Sequence, residues 1–378
     1  MNRAGQQGAA LVVAMLVLSL VVVFASSMAF DYQFSIRRVS NQMLMQQGYQ
    51  YLLATEAFAG KALMQDLQND SDDNASVDHR GELWAQDGLV FSLEDGAYTG
   101  QLFDLQGRFN LNNLQPPPLA DGQYPPAVPY TISQGIFMRL LQAISDEDFQ
   151  LDEMQAKSIT EAVVDWLDAD NQSRGFDCGE DDSYYRLDDR PPQRVANGPF
   201  ASVSELRLIC NLPLEAYLRL RPLVTVWPQS GKSSININTA SPALLRSIFV
   251  SQGQLASLQA IDNKSSYQAP PPLSEEQLTT LLEVINGPQD DDAQAPGQSL
   301  PVLPGETEVT PGYTSLTAVA NDLGSDLAFW PNADIGLYSD FFLLQSTVEL
   351  GGLTQTMGSV ISRQNGSIQI LARSTGGL

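Results

Sequence analysis

Between Asp165 and Asp189 the chain reads Asp-Trp-Leu-Asp-Ala-Asp-Asn-Gln-Ser-Arg-Gly-Phe-Asp-Cys-Gly-Glu-Asp-Asp-Ser-Tyr-Tyr-Arg-Leu-Asp-Asp, a run dense in carboxylates. Asp168 and Asp170 leave a predicted helix end at i, i+2 spacing, and Asp177, Glu180, Asp181 and Asp182 return after a turn at Gly175. Carboxylates, carbonyls and waters in a pliable loop are what Ca2+ takes, at about six to eight oxygens. An all-oxygen set does not suit transition metals. The spacing is not that of an EF-hand: counted from Asp168, the sixth residue is Ser173 rather than glycine and the twelfth is Gly179 rather than glutamate. Read without an ion, the run is a solvated acidic loop, and the residues alone leave both readings open. Trp166 and the Tyr184-Tyr185 pair flank it, which implies that the loop packs.

Other chemistry has little to work with. The one histidine, His79, lies in the polar stretch Asp70 to Arg80 and reads as an exposed loop residue. A Ser-His-Asp site would have to use it, and neither a phosphate-cradling glycine loop nor a nucleophile elbow is present. Hydrolysis by paired carboxylates remains an alternative without any substrate-lining signal. The two cysteines, Cys178 and Cys210, form one disulfide in an oxidising compartment or two buried thiols in a reducing one. A bridge closing about 32 residues contributes roughly 3 kcal/mol.

Charge narrows the partners. The 378 residues carry 44 acidic against 20 basic side chains, a net charge of -24, so phosphate backbones are repelled and nucleic acid is excluded as a partner. Asn236 to Leu245 is similar to the opening of helix-hairpin-helix DNA modules, but Val250 to Leu255 lacks an evident phosphate-binding glycine hairpin. The phrase is better read as a helix entry capped by Thr239 or Ser241 before Pro242.

The elements that must carry these groups begin with Ala9 to Phe30, 22 residues without a charge. As a helix they cover about 33 Å, enough to cross a hydrocarbon core. Only Arg3 is charged in the first eight residues, so the short end is expected on the cytoplasmic side. A plain single-span anchor and a signal cleaved near Ser27-Met28-Ala29 are the rivals. Against the latter, apolar residues from Phe34 to Leu67 continue to recur at threes and fours with no proline. The spacing predicts one rod over 9–68, apolar in its first half and amphipathic in its second.

Short alternating runs at Leu89–Glu94, Tyr98–Leu105 and Arg108–Asn112 predict strands. So do Phe341–Leu350, Leu353–Arg363 and Ser367–Arg373, separated by Gly351-Gly352 and Asn365-Gly366 turns. Both ends are β and the middle is helical, which predicts an α+β fold: a long N-terminal helix on an antiparallel sheet, with a large, mostly helical insertion. The expected divisions are a β part over 69–114, an inserted part over 115–335 and a second β part over 336–378. The insertion reads as two repeats, 115–230 and 231–335. Phe109-Asn110-Leu111-Asn112-Asn113-Leu114 parallels Ile235-Asn236-Ile237-Asn238-Thr239-Ala240, and Phe200-Ala201-Ser202-Val203 parallels Tyr313-Thr314-Ser315-Leu316. Gly287 to Gly312 reads as an exposed linker.

The leader ending Gln6-Gln7-Gly8, followed by the rod and sheet, resembles the type IV pilin and pseudopilin family. The resemblance implies cleavage by prepilin peptidase after Gly8 and N-methylation of the new first residue, Ala9. Most members carry glutamate at the fifth mature residue, where its carboxylate neutralises a neighbour's N-terminal amine; here that residue is Val13. Together with the large insertion and the acidic loop, this is similar to the minor pseudopilin K family of type II secretion. That resemblance implies a non-enzymatic, single-pass inner-membrane subunit with its soluble part in the periplasm. It also implies a place at the pseudopilus tip beside minor pseudopilins I and J and other pseudopilins, where the subunit helps start assembly for export of folded proteins. Calcium in the insertion is implied as well, mapped here onto Asp168, Asp170, Asp177, Glu180, Asp181 and Asp182, with Cys178 pinned to Cys210. A calcium-dependent envelope scaffold or adhesin, and a membrane-tethered hydrolase, are the alternatives.

Overall fold

The structure, a computed structural model, describes residues 3–73, 76–86, 89–116, 130–169, 173, 195–229, 232–255, 269–286 and 312–375. Helix α1 (Arg3–Asp73) runs unbroken for 71 residues, about 107 Å. From Ala10 to Met43 every side chain is exposed, and the helix is long and apolar enough to cross a membrane once. Beyond Leu44 one face of the helix is covered. Leu52 and Leu63 are fully buried there, each worth about 1.5–3 kcal/mol of removed apolar surface.

Strands β1 (Leu89–Leu93) and β2 (Gly96–Asp104) follow. The middle of the chain contributes short ladders only: β3 (Phe109–Asn110), β4 (Val224–Thr225), β5 (Ile235–Asn236), β6 (Phe249–Ser251), β7 (Leu327–Phe329) and β8 (Ile335–Gly336). The C-terminus adds β9 (Phe341–Leu350), β10 (Leu353–Ser362) and β11 (Gln369–Ser374). The first two and last three strands make one antiparallel sheet in the order β1-β2-β9-β10-β11. Gly351 (φ 56°) and Gly352 (φ 80°) form the left-handed two-residue turn that lets Leu350 pair with Leu353. Asn365 (φ 55°) and Gly366 (φ 68°) serve the same purpose before β11. Gly96 starts β2, where a Cβ would lie 1.9 Å from the Glu349 carbonyl oxygen.

Period-two alternation sends Phe342, Leu344, Val348 and Leu350 toward α1, with Trp84, Leu102 and Ile361 completing that layer. On the opposite face Leu105, Phe341, Leu343 and Val360 meet Trp227, which also packs against the core of the middle segment. The insertion therefore seats on one end of the sheet's outer face.

That insertion holds α2 (Ile132–Ala143), α3 (Glu153–Leu167), α4 (Leu214–Leu220), α5 (Pro242–Ile248), α6 (Glu275–Asn286) and α7 (Leu316–Asp322). Capping boxes at Thr131 with Gln134 and at Asp152 with Gln155 start the first two. Ser241, not Thr239, caps α5 at Pro242. The expected boundary near 115 falls too late. Phe109, Leu111 and Leu114 lie in the core of the insertion, so the chain leaves the sheet at about Leu105. The run Arg108–Asn112 alternates like a strand, but the Asn110 side chain accepts the Asn112 N–H and turns Leu111–Leu114 into a 3-10 helix. What remains of that strand is β3, paired parallel with β4.

The two Asn-x-Asn stretches that the sequence pairs make corresponding hydrogen bonds. Asn238 N–H donates to the Asn236 side chain as Asn112 N–H does to Asn110. Asn112 clamps Phe200, accepting its N–H at 2.8 Å and donating to its carbonyl at 3.2 Å. Asn238 clamps Tyr313 in the same two ways, both at 3.1 Å. The following serines, Ser202 and Ser315, each cap a short helix, and parallel pairing of β3 with β4 is matched by β5 with β8. Asn112 makes one bond more, to the Val226 carbonyl at 2.9 Å, and is buried. Asn112→Ala strands a buried N–H and two carbonyls and is expected to cost about 2 kcal/mol, against about 1 kcal/mol for half-buried Asn238→Ala. Denaturant unfolding of both variants measures the order.

Candidate functional site: the root of the acidic loop and a buried charged junction

At the end of α3, Asp165 is buried and accepts from the Ser173 hydroxyl at 3.4 Å. Trp166 stacks on Phe200 at 6.0 Å, and its carbonyl accepts the Gly198 N–H. Asp168 is the residue at which the chain leaves the helix, its backbone extended (φ -77°, ψ 166°) and its N–H still bonded to Val164. Cys210 is buried in the same core and is disulfide-bonded. The root of the loop is thus anchored by packing, as the flanking Trp166 implies. Asp170, Asp177, Cys178, Glu180, Asp181 and Asp182 lie outside the described residues, as do Tyr184 and Tyr185. Of the six expected oxygen donors only Asp168 is placed, at the mouth of that loop.

Gly8 and Ala9 lie on the continuous backbone of α1, and Val13 is 61% exposed on it.

A second polar centre is absent from the sequence reading. Arg363, just past β10, is fully buried. One terminal nitrogen donates to both oxygens of buried Asp78, the other donates to Asp66 on α1 at 2.8 Å, and Nε reaches the Ser339 carbonyl at 2.8 Å. The guanidinium also lies over the rings of Tyr338 and Phe342, at 4.6 and 4.9 Å. Ser339 N–H donates to Asp78 and its hydroxyl to Asp104, both at 2.6 Å. From the insertion, Asn236 donates to the Asp78 carbonyl and to Asp104, and Thr239 donates to Asp104 as well. Arg80 bonds the carbonyls of Thr239 and Ala240. The long helix, the sheet and the insertion therefore converge on one cluster.

Donor atoms of Asp66, Asp78 and Glu82 lie within 4.8 Å of one another. Burial is the largest influence on each and raises all three; Asp78 reaches about 7 and Glu82 about 8, the latter pushed further by Asp66 and Asp78. His79 is half-buried here rather than in an exposed loop, its Nε2 3.5 Å from Glu82 and its Nδ1 accepting the Gly81 N–H. Burial depresses its pKa. The polar neighbours of His79 suggest exposure, but Gly312, far along the chain, packs against its Cβ.

A membrane-length helix continued as the spine of an antiparallel sheet, with a second body inserted between its strands, defines a pilin-like subunit enlarged by a helical domain. A family model described as type II secretion system (T2SS), protein K matches residues 107–229. The type II secretion system protein K of Aeromonas hydrophila is 36% identical over 251 residues, covering 65% of this chain and 71% of that protein. That of Pseudomonas aeruginosa is 32% identical over 270 residues, covering 71% and 75%. The crystal structure of the GspK-GspI-GspJ complex from enterotoxigenic Escherichia coli contains a similar fold, with a TM-score of 0.59 and 22% identity over 90% of this chain and 100% of that one. The chain belongs to the type II secretion system protein K family, the minor pseudopilins with a large inserted domain.

Proposed function

We propose that this subunit caps the periplasmic pseudopilus of a type II secretion system, joins minor pseudopilins I and J there, and helps initiate assembly for export of folded proteins. The observation that carries this reading is the placement of the insertion. It covers one end of the sheet's outer face through Trp227 and the Phe341–Leu343 surface. A body of roughly 200 residues at that position obstructs stacking of like subunits, whereas an end subunit meets no such limit. Val13 agrees with it: a residue without a carboxylate cannot neutralise the N-terminal amine of a neighbouring subunit.

On this reading α1 crosses the bacterial inner membrane once, prepilin peptidase cuts after Gly8, and Ala9 is methylated. In the oxidising periplasm Cys178 bonds to Cys210 and holds the far side of the acidic loop against the core. Asp168, Asp170, Asp177, Glu180, Asp181 and Asp182 hold Ca2+. The backbone becomes extended at Asp168, where the chain enters the loop, and the all-oxygen donor set fits the ion. The ion offsets repulsion among carboxylates and so orders the loop; it serves no reaction.

N-terminal sequencing of protein isolated from cells tests the pilin-class processing, and methylated Ala9 is the expected first residue. Retention of Met1, or a start at Phe30, would overturn it. Co-purification with pseudopilins I and J from the same membranes tests the tip assignment, which fails if the subunit is isolated without them.

A further inference from the structure

The junction at Arg363 contains more acid than base. Asp66 from α1 and Asp78 from the segment after it pair with one buried guanidinium, and Glu82 from that same segment lies within 4.8 Å of both carboxylates. Asp104 at the end of β2 adds a fourth carboxylate, buried and held by Ser339, Thr239 and the Gln106 N–H, with half-buried Arg108 interacting with it electrostatically. Tyr338 flanks Arg363, and Asp340 accepts the Arg363 N–H through its carbonyl. Arg80 is turned away onto carbonyls of the insertion. Among the described residues His79 is a further titratable neighbour: its Nδ1 accepts the Gly81 N–H and its Nε2 lies 3.5 Å from Glu82, which also accepts the Trp84 indole N–H. Three carboxylates within 4.8 Å of one another, one buried and two half-buried, crowd negative charge around a single buried arginine. Such a set titrates as a unit.

We propose that this junction is a proton-loaded latch: the Asp66–Asp78–Glu82 triad shares a proton while the insertion is docked on the helix and sheet, and losing that proton loosens the docking. The geometry supplies the coupling. The segment bearing Asp78 and Glu82 is the one gripped by the insertion, through Asn236 to the Asp78 carbonyl at 3.1 Å and through Arg80 to Thr239 at 2.8 Å. Repulsion within the triad is therefore relieved by moving this segment, and the segment cannot move without releasing Asn236 and Thr239. The sign follows from burial. The triad binds its proton more tightly docked than open, so docking is favoured at low pH and weakens as pH rises toward the docked titration point.

Hydrogen exchange of the full-length protein in detergent tests this, read as protection factors at residues 76–86 and 235–240. In the wild type, protection is expected to fall about tenfold per pH unit above about pH 5 and to level off above about 8, where Glu82 titrates when docked. Glu82→Gln, which mimics the protonated triad, is expected to hold protection constant over that range. Asp66→Asn, on a different element, is expected to flatten the fall as well and serves if Glu82→Gln does not fold. Flat protection in the wild type overturns the latch. So does an undiminished fall in a folded variant, and neither result touches the family assignment.

Discussion

Arg363→Met is expected to destabilise the folded protein by about 3–5 kcal/mol, the usual cost of removing one partner from a buried ion pair. Methionine matches the aliphatic length and preserves the contacts with Tyr338 and Phe342, so the loss isolates charge. Asp78, 0% exposed, loses both guanidinium bonds and keeps the Ser339 N–H. Asp66 loses its arginine bond, and the Ser339 carbonyl loses its donor. Without the guanidinium the carboxylates stay protonated to higher pH, so the defect is expected to be smaller at pH 5 than at pH 8. Denaturant unfolding at both values checks this. Arg373→Met is the control: that arginine is 45% exposed and grips Glu56 through two bonds at 2.7 Å. Its loss is expected to cost distinctly less, because water reaches the pair. Equal losses at the two positions, or no pH dependence at Arg363, would contradict the burial argument.

Removing calcium is expected to lower stability by about 3 kcal/mol if the ion is present at about a hundred times its dissociation constant. That corresponds to a fall in melting temperature of about 5–10 °C for a body of this size. The physical basis is the crowding of Asp168 through Asp182 in a loop rooted on a packed helix end. The root is expected to stay folded through the stack of Trp166 on Phe200, while the carboxylates beyond it are expected to repel one another without the proposed cation. Asp168→Ala with Asp170→Ala is expected to abolish the response to chelator and to leave the protein with a melting temperature close to that of chelated wild type. A melting temperature unmoved by chelator rejects a structural ion. A response that survives the double substitution moves the ion elsewhere.

What could be read from the residues beforehand follows their range of action. The α1 rod declares itself through a local period, and the hairpins of β9, β10 and β11 through Gly351-Gly352 and Asn365-Gly366, each a short-range constraint on the backbone. The two Asn-x-Asn stretches were legible because the pattern carries its own hydrogen bond, Asn112 to Asn110 and Asn238 to Asn236, whatever the surroundings. The strand at Arg108–Asn112 misled for the same reason in reverse: its alternation is real, but the Asn110 side chain overrides it. The charged junction had no local signature. Arg363 finds Asp66 across 297 residues of chain and Asp78 across 285. Asp78, His79 and Glu82 look like ordinary polar loop composition until the insertion closes over them. The root of the candidate calcium site was legible through Trp166, and its remaining ligands rest on composition and family resemblance.

The bare stretch of α1 between Phe30 and Leu44 has a consequence for how so acidic a body tolerates a lipid surface. Those residues hold the sheet about 21 Å beyond the apolar span, while ionic screening at physiological salt decays over about 8 Å. Asp31 is the lone acidic group on the stalk, which carries Arg37 and Arg38 further along. If α1 spans the membrane as proposed, the bulk of the net charge of -24 therefore stands off from anionic headgroups by more than two screening lengths, and changing salt or lipid charge is expected to leave the seating of the anchor unaltered.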